Sequence, residues 1–539
     1  MAERTTRSFR SSMTEQLPSL HHEHPSYRWW VLLNVMIGTF MAVLDSTIVN
    51  VSLPKIMATF GTSVDKAEWI LTGYLLVFAV MLPSSGWIAD HFGYKRTYIF
   101  SFGLFTFGSF LCGLAWDENA LIFFRIIQGI GGGLLMPIGM AIILREFPVE
   151  QRGTALGFWG ISAAASVSFG PLAGGYLVDN FSWHAIFDVN VPIGIVGVLA
   201  TFLIQREYKT EKARGFDFVG FASVTVFLVA ILLALSDGNA SWNDGGWTSP
   251  FILWCFAISA ASFTVFLITE FTVEHPLIDL QLFKYFNYSM ANIVLFVFGF
   301  AIFGSTFLLP LYLQNSMGYS ATQVGMMFLP SGIVQGLMSP VSGLMGDKLN
   351  PKVPAILGMV FLCYSWYLST TLSLFSPYSE IMMPLYMRGI GLGLLFTPLS
   401  SLAYSEIPKV KMAQASGLFN VIRQIGGSFG VAVIGAMLST RTLTHMQING
   451  QAIDIHSPYV QQIAGRLQYF ALHTSSSTAD VAALRAKSIL GTHLANQAFV
   501  QGVDDVFLFS FIIIALGIIP LIFLRVPKKT TGETHIALE

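Results

Sequence analysis

Charge is what this sequence lacks most. Asp, Glu, Lys and Arg together make up 11% of its 539 residues, against about 25% in a soluble domain. With 54% hydrophobic residues, that deficit excludes an ordinary soluble globule and predicts a polytopic membrane protein. The formal net charge is −1, so there is no basic field to hold nucleic acid. Cysteine is scarce. Cys112, Cys255 and Cys363 each fall in an apolar stretch, which argues against a disulfide framework or a cysteine metal site. Residues 1–28 form a polar tail with Arg4, Arg7 and Arg10, and lack the apolar core of a cleavable signal. The run His21-His22-Glu23-His24 has metal-binding chemistry but reads first as part of a solvated tail, and no metal site is assigned. No Gly-Lys-Ser/Thr phosphate loop is present, nor a Ser/His/Asp constellation.

Long hydrophobic runs stand in place of charge. Fourteen spans of about 20 residues occur at 29–51, 68–90, 97–116, 120–144, 153–178, 183–205, 216–235, 250–271, 288–314, 322–346, 354–375, 380–402, 412–440 and 504–525. Each is long enough to cross about 30 Å of hydrocarbon as a helix. Helix is the expected state throughout, because a backbone facing lipid must satisfy its own hydrogen bonds. The fold class is therefore all-α. With the N-terminus in the cytoplasm, twenty of the 29 Lys and Arg residues fall in cytoplasmic segments and six in external ones. The other three, Arg125, Arg388 and Arg423, lie inside spans. This bias predicts that both termini are cytoplasmic.

The chain repeats itself. Gly129–Leu135 (Gly-Ile-Gly-Gly-Gly-Leu-Leu) recurs as Gly389–Leu395 (Gly-Ile-Gly-Leu-Gly-Leu-Leu), 260 positions on. Ser168-Phe169-Gly170 recurs as Ser428-Phe429-Gly430 at the same offset. Pro83, Ser85, Gly86 and Asp90 recur as Pro340, Ser342, Gly343 and Asp347 at an offset of 257. A duplicated six-helix unit follows, with a site between the halves, a transporter architecture. The expected organisation is a tail (1–28), an N-terminal six-helix bundle (29–205), a linker with two extra transmembrane helices (206–287), a C-terminal six-helix bundle (288–526) and a second tail (527–539). Residues 441–503 read as a long external loop holding short amphipathic helices, lying on the outer surface or packed on the transporter body.

Two turns carry recognisable chemistry. Gly86-Trp87-Ile88-Ala89-Asp90-His91-Phe92-Gly93-Tyr94-Lys95-Arg96 joins the second and third spans. Asp90 is placed to bond Arg152 in the adjacent loop or to sit at a facing helix N-terminus, where the dipole favours an anion. Such a bond would lock one face of a transporter, although positive-inside topology alone explains the same basic residues. In the fifth span, Gly170-Pro171-Leu172-Ala173-Gly174-Gly175 combines small residues for close helix approach with a bend-inducing proline.

Arginine inside a span costs roughly 3 kcal/mol on insertion scales, so Arg125 needs a partner. Asp45 in the first span, Arg125 in the fourth and Asp188 near the start of the sixth are predicted at one depth, in the outer half of the membrane. A carboxylate beside a cation stays ionised; if the cation moves away, or an apolar substrate desolvates it, it takes up a proton more readily. That alternation suits proton coupling. A helix-pairing hydrogen bond is the structural alternative for Asp45, and interfacial water for Asp188. Arg388 and Arg423 have no intramembrane acid in view and are expected to bond carbonyl groups.

These residues together resemble the motif set of the major facilitator superfamily. The carriers are Leu44-Asp45-Ser46-Thr47-Ile48-Val49-Asn50 with Pro54, the Gly86–Arg96 turn, Arg125 with Gly129 and Gly133, and Gly170-Pro171 with Gly174-Gly175. Fourteen spans, Trp183 and Phe187 with Asn190-Val191-Pro192-Ile193-Gly194, and Asn420 with Arg423-Gln424-Ile425-Gly426-Gly427 make the chain similar to the fourteen-helix drug:proton antiporters of the EmrB/QacA type. The resemblance covers about residues 29–526. It implies two six-helix bundles in a bacterial cytoplasmic (inner) membrane, alternating access, and multidrug efflux against inward proton flow without a bound cofactor. Asp45, Arg125 and Asp188 would serve proton coupling. Gly86, Asp90, Gly93, Lys95, Arg96 and Arg152 would form the cytoplasmic gate. Gly170, Pro171, Gly174 and Gly175 would mark an antiporter, with Asn420, Arg423 and Gln424 as the second-half motif. In the EmrB branch a periplasmic adaptor and outer-membrane channel would be partners. The second-half copy of the turn, Gly343–Asn350, has lost most of its basic residues, so an asymmetric gate is expected.

The leading reading is a proton-coupled exporter of lipophilic, often aromatic compounds. A dedicated exporter of one metabolite, siderophore or lipid fits the same scaffold. A polytopic membrane enzyme would require a polar catalytic cluster that the short loops do not supply.

Overall fold

The computed structural model describes residues 24, 26–62, 64–208, 215–238, 242–243, 245–273, 276–452, 457–474 and 479–526. The described residues are helical with short connections and contain no strand. The first half comprises α1 (Tyr27–Phe60), α2 (Val64–Phe92), α3 (Tyr94–Gly113), α4 (Glu118–Glu146), α5 (Arg152–Asn180), α6 (Ala185–Asp188) and α7 (Asn190–Ile204). Two helices follow, α8 (Phe218–Asp237) and α9 (Pro250–Thr272). The second half holds α10 (Phe286–Asn315), α11 (Ala321–Lys348), α12 (Lys352–Leu368), α13 (Tyr378–Ala403), α14 (Met412–Ala452), α15 (Pro458–Thr474), α16 (Ala479–Leu516) and α17 (Ile518–Phe523).

Twelve stretches among the described residues are long and apolar enough to cross a membrane. The expected fourteen spans also include α3 and α5, of 20 and 29 residues. Serine, threonine and glycine dilute their hydropathy, with Lys95 and Arg96 at the start of α3 and Arg152 at that of α5, yet both pack within the bundle. The helix ends are set locally. The Asp117 side chain accepts a hydrogen bond from Ala120 N at 2.7 Å and starts α4. Ser320 and Gln323 form a reciprocal capping box at the start of α11. At Gly93, φ is +96°, a conformation that favours glycine, and the chain turns there from α2 into α3.

The repeat seen in the sequence is a repeat in packing. A Cβ on Gly131 of α4 would lie 2.5 Å from Phe105 N of α3. A Cβ on Gly391 of α13 would lie 2.7 Å from Leu362 N of α12. The glycine runs thus bring the same pair of helices into backbone contact in each half. The halves meet where α2 packs on α14 and α5 packs on α11. The inserted α8 and α9 pack on each other, and α8 leans on both α2 and α14.

Within residues 441–503, the described residues are helical apart from Ser457, where a loop holding only short helices was expected. α14 continues to Ala452, giving 41 residues, and α16 starts at Ala479 and runs 38 residues into the last span. At 1.5 Å per residue α14 is about 60 Å long, roughly twice the hydrocarbon thickness. Its extension packs on α16: His445 Nε2 is 3.0 Å from Asp505, Arg441 Nε is 3.7 Å from the same carboxylate, and Asn449 Nδ2 donates to Gln501 Oε1 at 2.8 Å. α15 packs against α16 and completes a helical projection.

Candidate functional site

Four helices of the first half bring a polar cluster into the middle of the bundle. α1 supplies Asp45, α4 supplies Arg125 and Gln128, α3 supplies Ser109 and Cys112, and α7 supplies Asn190; all six are fully buried. One Asp45 oxygen pairs with Arg125 Nη1. The other accepts from Gln128 Nε2 at 2.8 Å and from Asn190 Nδ2 at 3.1 Å. Arg125 also donates Nη1 to Gln128 Oε1 at 2.8 Å and Nε to the Ile70 carbonyl at 3.2 Å. Its guanidinium lies over the Tyr74 ring, 4.0 Å from the centroid. Asn190 Nδ2 reaches Ser109 Oγ at 3.2 Å, and Ser109 donates to the Phe187 carbonyl at 2.9 Å. The three hydrogen bonds found to Asp45, from Arg125, Gln128 and Asn190, are all donations to its carboxyl oxygens. A buried pair of this kind is tolerated only when its remaining lone pairs and protons are satisfied. Arg125 Nη2 and Asn190 Oδ1 are buried without a partner.

The expected partnership of Asp45 and Arg125 is the geometry found. Asp188 does not join it. Two residues along a helix differ by about 200° in direction, so with Asn190 facing inward, Asp188 faces out and is exposed. Its carboxylate lies beside Gly113 on α3. Gln128, Asn190, Ser109 and Tyr74 are the members the sequence reading left without a role. Their signal was spacing: Gln128 is one helical step of three from Arg125, and Asn190 and Phe187 are one such step apart on α6–α7.

The small residues of α5 position Asp45. A Cβ on Gly170 would lie 2.1 Å from Thr47 Oγ1 of α1. Thr47 Oγ1 in turn donates to the Ser166 carbonyl at 3.4 Å. Gly174 is buried, whereas a Cβ on Gly175 would meet nothing within 4 Å. Pro171 lies within α5, and its side chain is outside the described residues.

At the end of the bundle that carries the basic loops, the gate residues are wired differently from the expected pairing. Asp90 lies 3.8 Å from Arg145, not against Arg152, and accepts from Tyr94 Oη at 3.0 Å. Arg145 ends α4 next to the α2–α3 turn and stacks over Tyr94, its carbon centre 4.0 Å from the ring centroid, which brings it to Asp90 first. Arg152 is buried, and its Nε has no partner. The acid that meets a facing helix N-terminus is Asp347, from the other half. It accepts from Gly153 N at 3.1 Å and Thr154 N at 2.7 Å, and bonds Thr154 Oγ1. Lys95 and Arg96 bind the start of the linker: Glu207 accepts from both their backbone N–H groups, at 3.0 and 3.3 Å. Gly86 lets α2 approach α14, since a Cβ there would lie 2.8 Å from Gln414 N. Further cross-half bonds sit nearby, with Ser416 Oγ donating to the Pro137 carbonyl at 2.9 Å and Tyr404 Oη 3.4 Å from Met140 Sδ.

In the second half, Arg423 Nη2 reaches Asn420 Oδ1 at 3.4 Å, and Asn420 Nδ2 donates to the Ser416 carbonyl at 2.9 Å. Gln424 is half-buried beside them. Arg388 is buried and donates Nε to Ser305 Oγ at 2.8 Å. Arg423 thus bonds a carbonyl oxygen, that of a side-chain amide, whereas Arg388 bonds a hydroxyl instead of the expected carbonyl. The three cysteines are free and buried. Among the described residues no group of His, Cys, Asp and Glu is placed to hold a metal ion, and His21 to Glu23 lie outside those residues.

Two duplicated helical bundles with a buried ion pair in the first are a transporter arrangement. The chain belongs to the Major Facilitator Superfamily, whose family model matches residues 35–431. Its relatives place it with the EmrB-type members. It is 30% identical over 506 residues to the multidrug export protein EmrB of Haemophilus influenzae, covering 93% of this chain and 96% of that one. It is 32% identical over 436 residues to the probable multidrug resistance protein EmrY of Escherichia coli K12, covering 80% and 84%. An MFS-type transporter of Bacillus subtilis, YhcA, is 30% identical over 93% of each chain. Among solved structures, the human organic anion transporter MFSD10 superposes with a TM-score of 0.56 at 14% identity, covering 90% of this chain and 99% of that one, a likeness of fold. The protein is a multi-pass membrane transporter of this superfamily and not an enzyme.

Proposed function

We propose that this protein exports lipophilic, drug-like compounds in exchange for protons by alternating access. The observation that carries the coupling is the buried Asp45–Arg125 pair, with Gln128 and Asn190 on the same carboxylate. Rearrangement of α1 against α4 would part acid from cation in an apolar layer, and an acid left there binds a proton more readily. The names of the EmrB and EmrY relatives support the drug-like substrate class. The basic end would face the cytoplasm of the bacterial inner membrane, with both termini on that side. There the Asp347 bonds to α5 would hold the halves together, to be broken when the site opens inward. The helical projection of α14–α16 would face the other way and could meet a periplasmic adaptor leading to an outer-membrane channel.

A narrower reading, export of one class of amphipathic acid, is favoured by 27% identity over 506 residues to the fatty acid resistance protein FarB of Neisseria gonorrhoeae. Reconstitution in liposomes with an imposed pH gradient separates the two. Gradient-dependent movement of several unrelated lipophilic dyes supports the multidrug reading. Movement of long-chain fatty acids alone supports the narrower one, and movement of either without a gradient refutes the coupling.

A further inference from the structure

The second half buries a cation without an acid. Gln128 of the first half and Arg388 of the second are counterparts at the 260-residue offset. Each donates to a side chain on the first helix of its own half: Gln128 Nε2 to Asp45 Oδ1 at 2.8 Å, and Arg388 Nε to Ser305 Oγ at 2.8 Å. The first half therefore meets a fixed cation with a carboxylate, and the second meets one with a hydroxyl. None of the ion pairs found among the described residues includes Arg388. The Arg388 guanidinium lies over the Phe328 ring, 5.4 Å from the centroid, but no carboxylate balances its charge; a buried guanidinium without a counter-charge is costly, and one remedy is an anion from solution.

The space for one is present. A cavity inside the second bundle is lined by Arg388, Ser305, Ser365, Ser369, Trp366 and Phe507 together with aliphatic side chains, and has room for a single small occupant. Trp366 is 1% exposed, and its Nε1–H has no hydrogen-bond partner. Ser365 and Ser369 already donate their hydroxyl protons, to the Pro384 carbonyl at 2.8 Å and the Ser365 carbonyl at 2.9 Å. The donors still free to serve an occupant are thus the Arg388 terminal nitrogens and the Trp366 indole. A site with one fixed positive charge, free N–H donors, no carboxylate in its lining and otherwise apolar walls suits a small monovalent anion. It is too small for a phosphate ester and lacks an acceptor charge for a metal cation.

We propose that this cavity binds one halide-sized monovalent anion, chloride being the available species, as the counter-ion of Arg388. The anion serves the second half as Asp45 serves the first. Nothing in this depends on which substrate is exported or on proton coupling.

The test uses the full chain purified in detergent. Thermal unfolding is followed as chloride replaces gluconate at constant ionic strength, and equilibrium binding of radioactive chloride is measured alongside. The wild type is expected to show a midpoint that rises with chloride and saturable binding. Arg388→Gln should lose both. Ser305→Asp, which supplies a carboxylate from the chain, should stay folded and lose the chloride dependence while keeping its stability in gluconate. Absence of chloride binding to the wild type would overturn the proposal, as would undiminished binding to folded Arg388→Gln or to folded Ser305→Asp.

Discussion

Asp45 is a carboxylate with three donors and no exposure. Removing one hydrogen bond to a charged group costs about 1.5–3 kcal/mol, or roughly tenfold or more in any step that depends on it. Asn190→Ala is accordingly expected to lower proton-driven efflux by about tenfold while surface expression is kept. Unchanged efflux by that variant would remove Asn190 from the coupling network. Arg125→Lys keeps the charge but lacks the planar fork that meets Asp45, Gln128 and the Ile70 carbonyl together. It should recover only a small part of the activity lost in Arg125→Ala, as read by dye efflux from cells. The ion pair itself was legible, because two charges at one depth in apolar sequence require each other. Gln128 and Asn190 were less so, since neutral amides carry no comparable insertion penalty. Depth alone places Asp188 beside the pair, but helical phase turns it away, in keeping with the interfacial alternative.

Helices set where these residues stand. Gly170 lets α5 close on α1 beside Asp45, and even a methyl group there would overlap Thr47. Gly170→Ala should therefore destabilise by about 1–3 kcal/mol, the range for overpacking, seen as a lower unfolding midpoint in detergent. Thr47→Ala in the same chain should restore part of it. At the basic end, Asp347 caps the N-terminus of α5 across the two halves. Loss of a cap costs about 0.5–2 kcal/mol. Asp347→Ala should shift the protein toward the state open at that end, read as faster labelling of a cysteine placed at Ser339, which packs against Gly157 and Gly160. Labelling no faster than in the parent cysteine variant would show that Asp347 does not hold the halves together. The turn motif pointed to an acid at a facing helix N-terminus, but not to which of its two copies supplies the bonds now seen at α5. That choice depends on the relative placement of the halves, which no local pattern encodes. The length of α14 was hidden for a related reason. Hydropathy falls at the edge of the membrane, whereas helical hydrogen bonding continues through the polar residues to Ala452.

At the scale of the molecule, two similar bundles carry different electrostatics. The first encloses a cation with its own acid, and the second encloses cations bonded only to neutral side chains. The duplicated glycine packing made the two-bundle fold readable from the chain alone, because only close helix approach explains such runs at a constant offset. The asymmetry was readable in part, from Leu385 standing where the second-half counterpart of Arg125 would be. Under the proposed exchange, it would put the proton site in the first bundle. The most direct measurement records proton and dye movement together in liposomes holding either the wild type or Asp45→Asn, under an outwardly or inwardly directed pH gradient. The account predicts opposed proton and dye fluxes in the wild type that reverse with the gradient, and no proton flux with the folded variant. Proton-coupled dye transport by Asp45→Asn at the wild-type rate would contradict it.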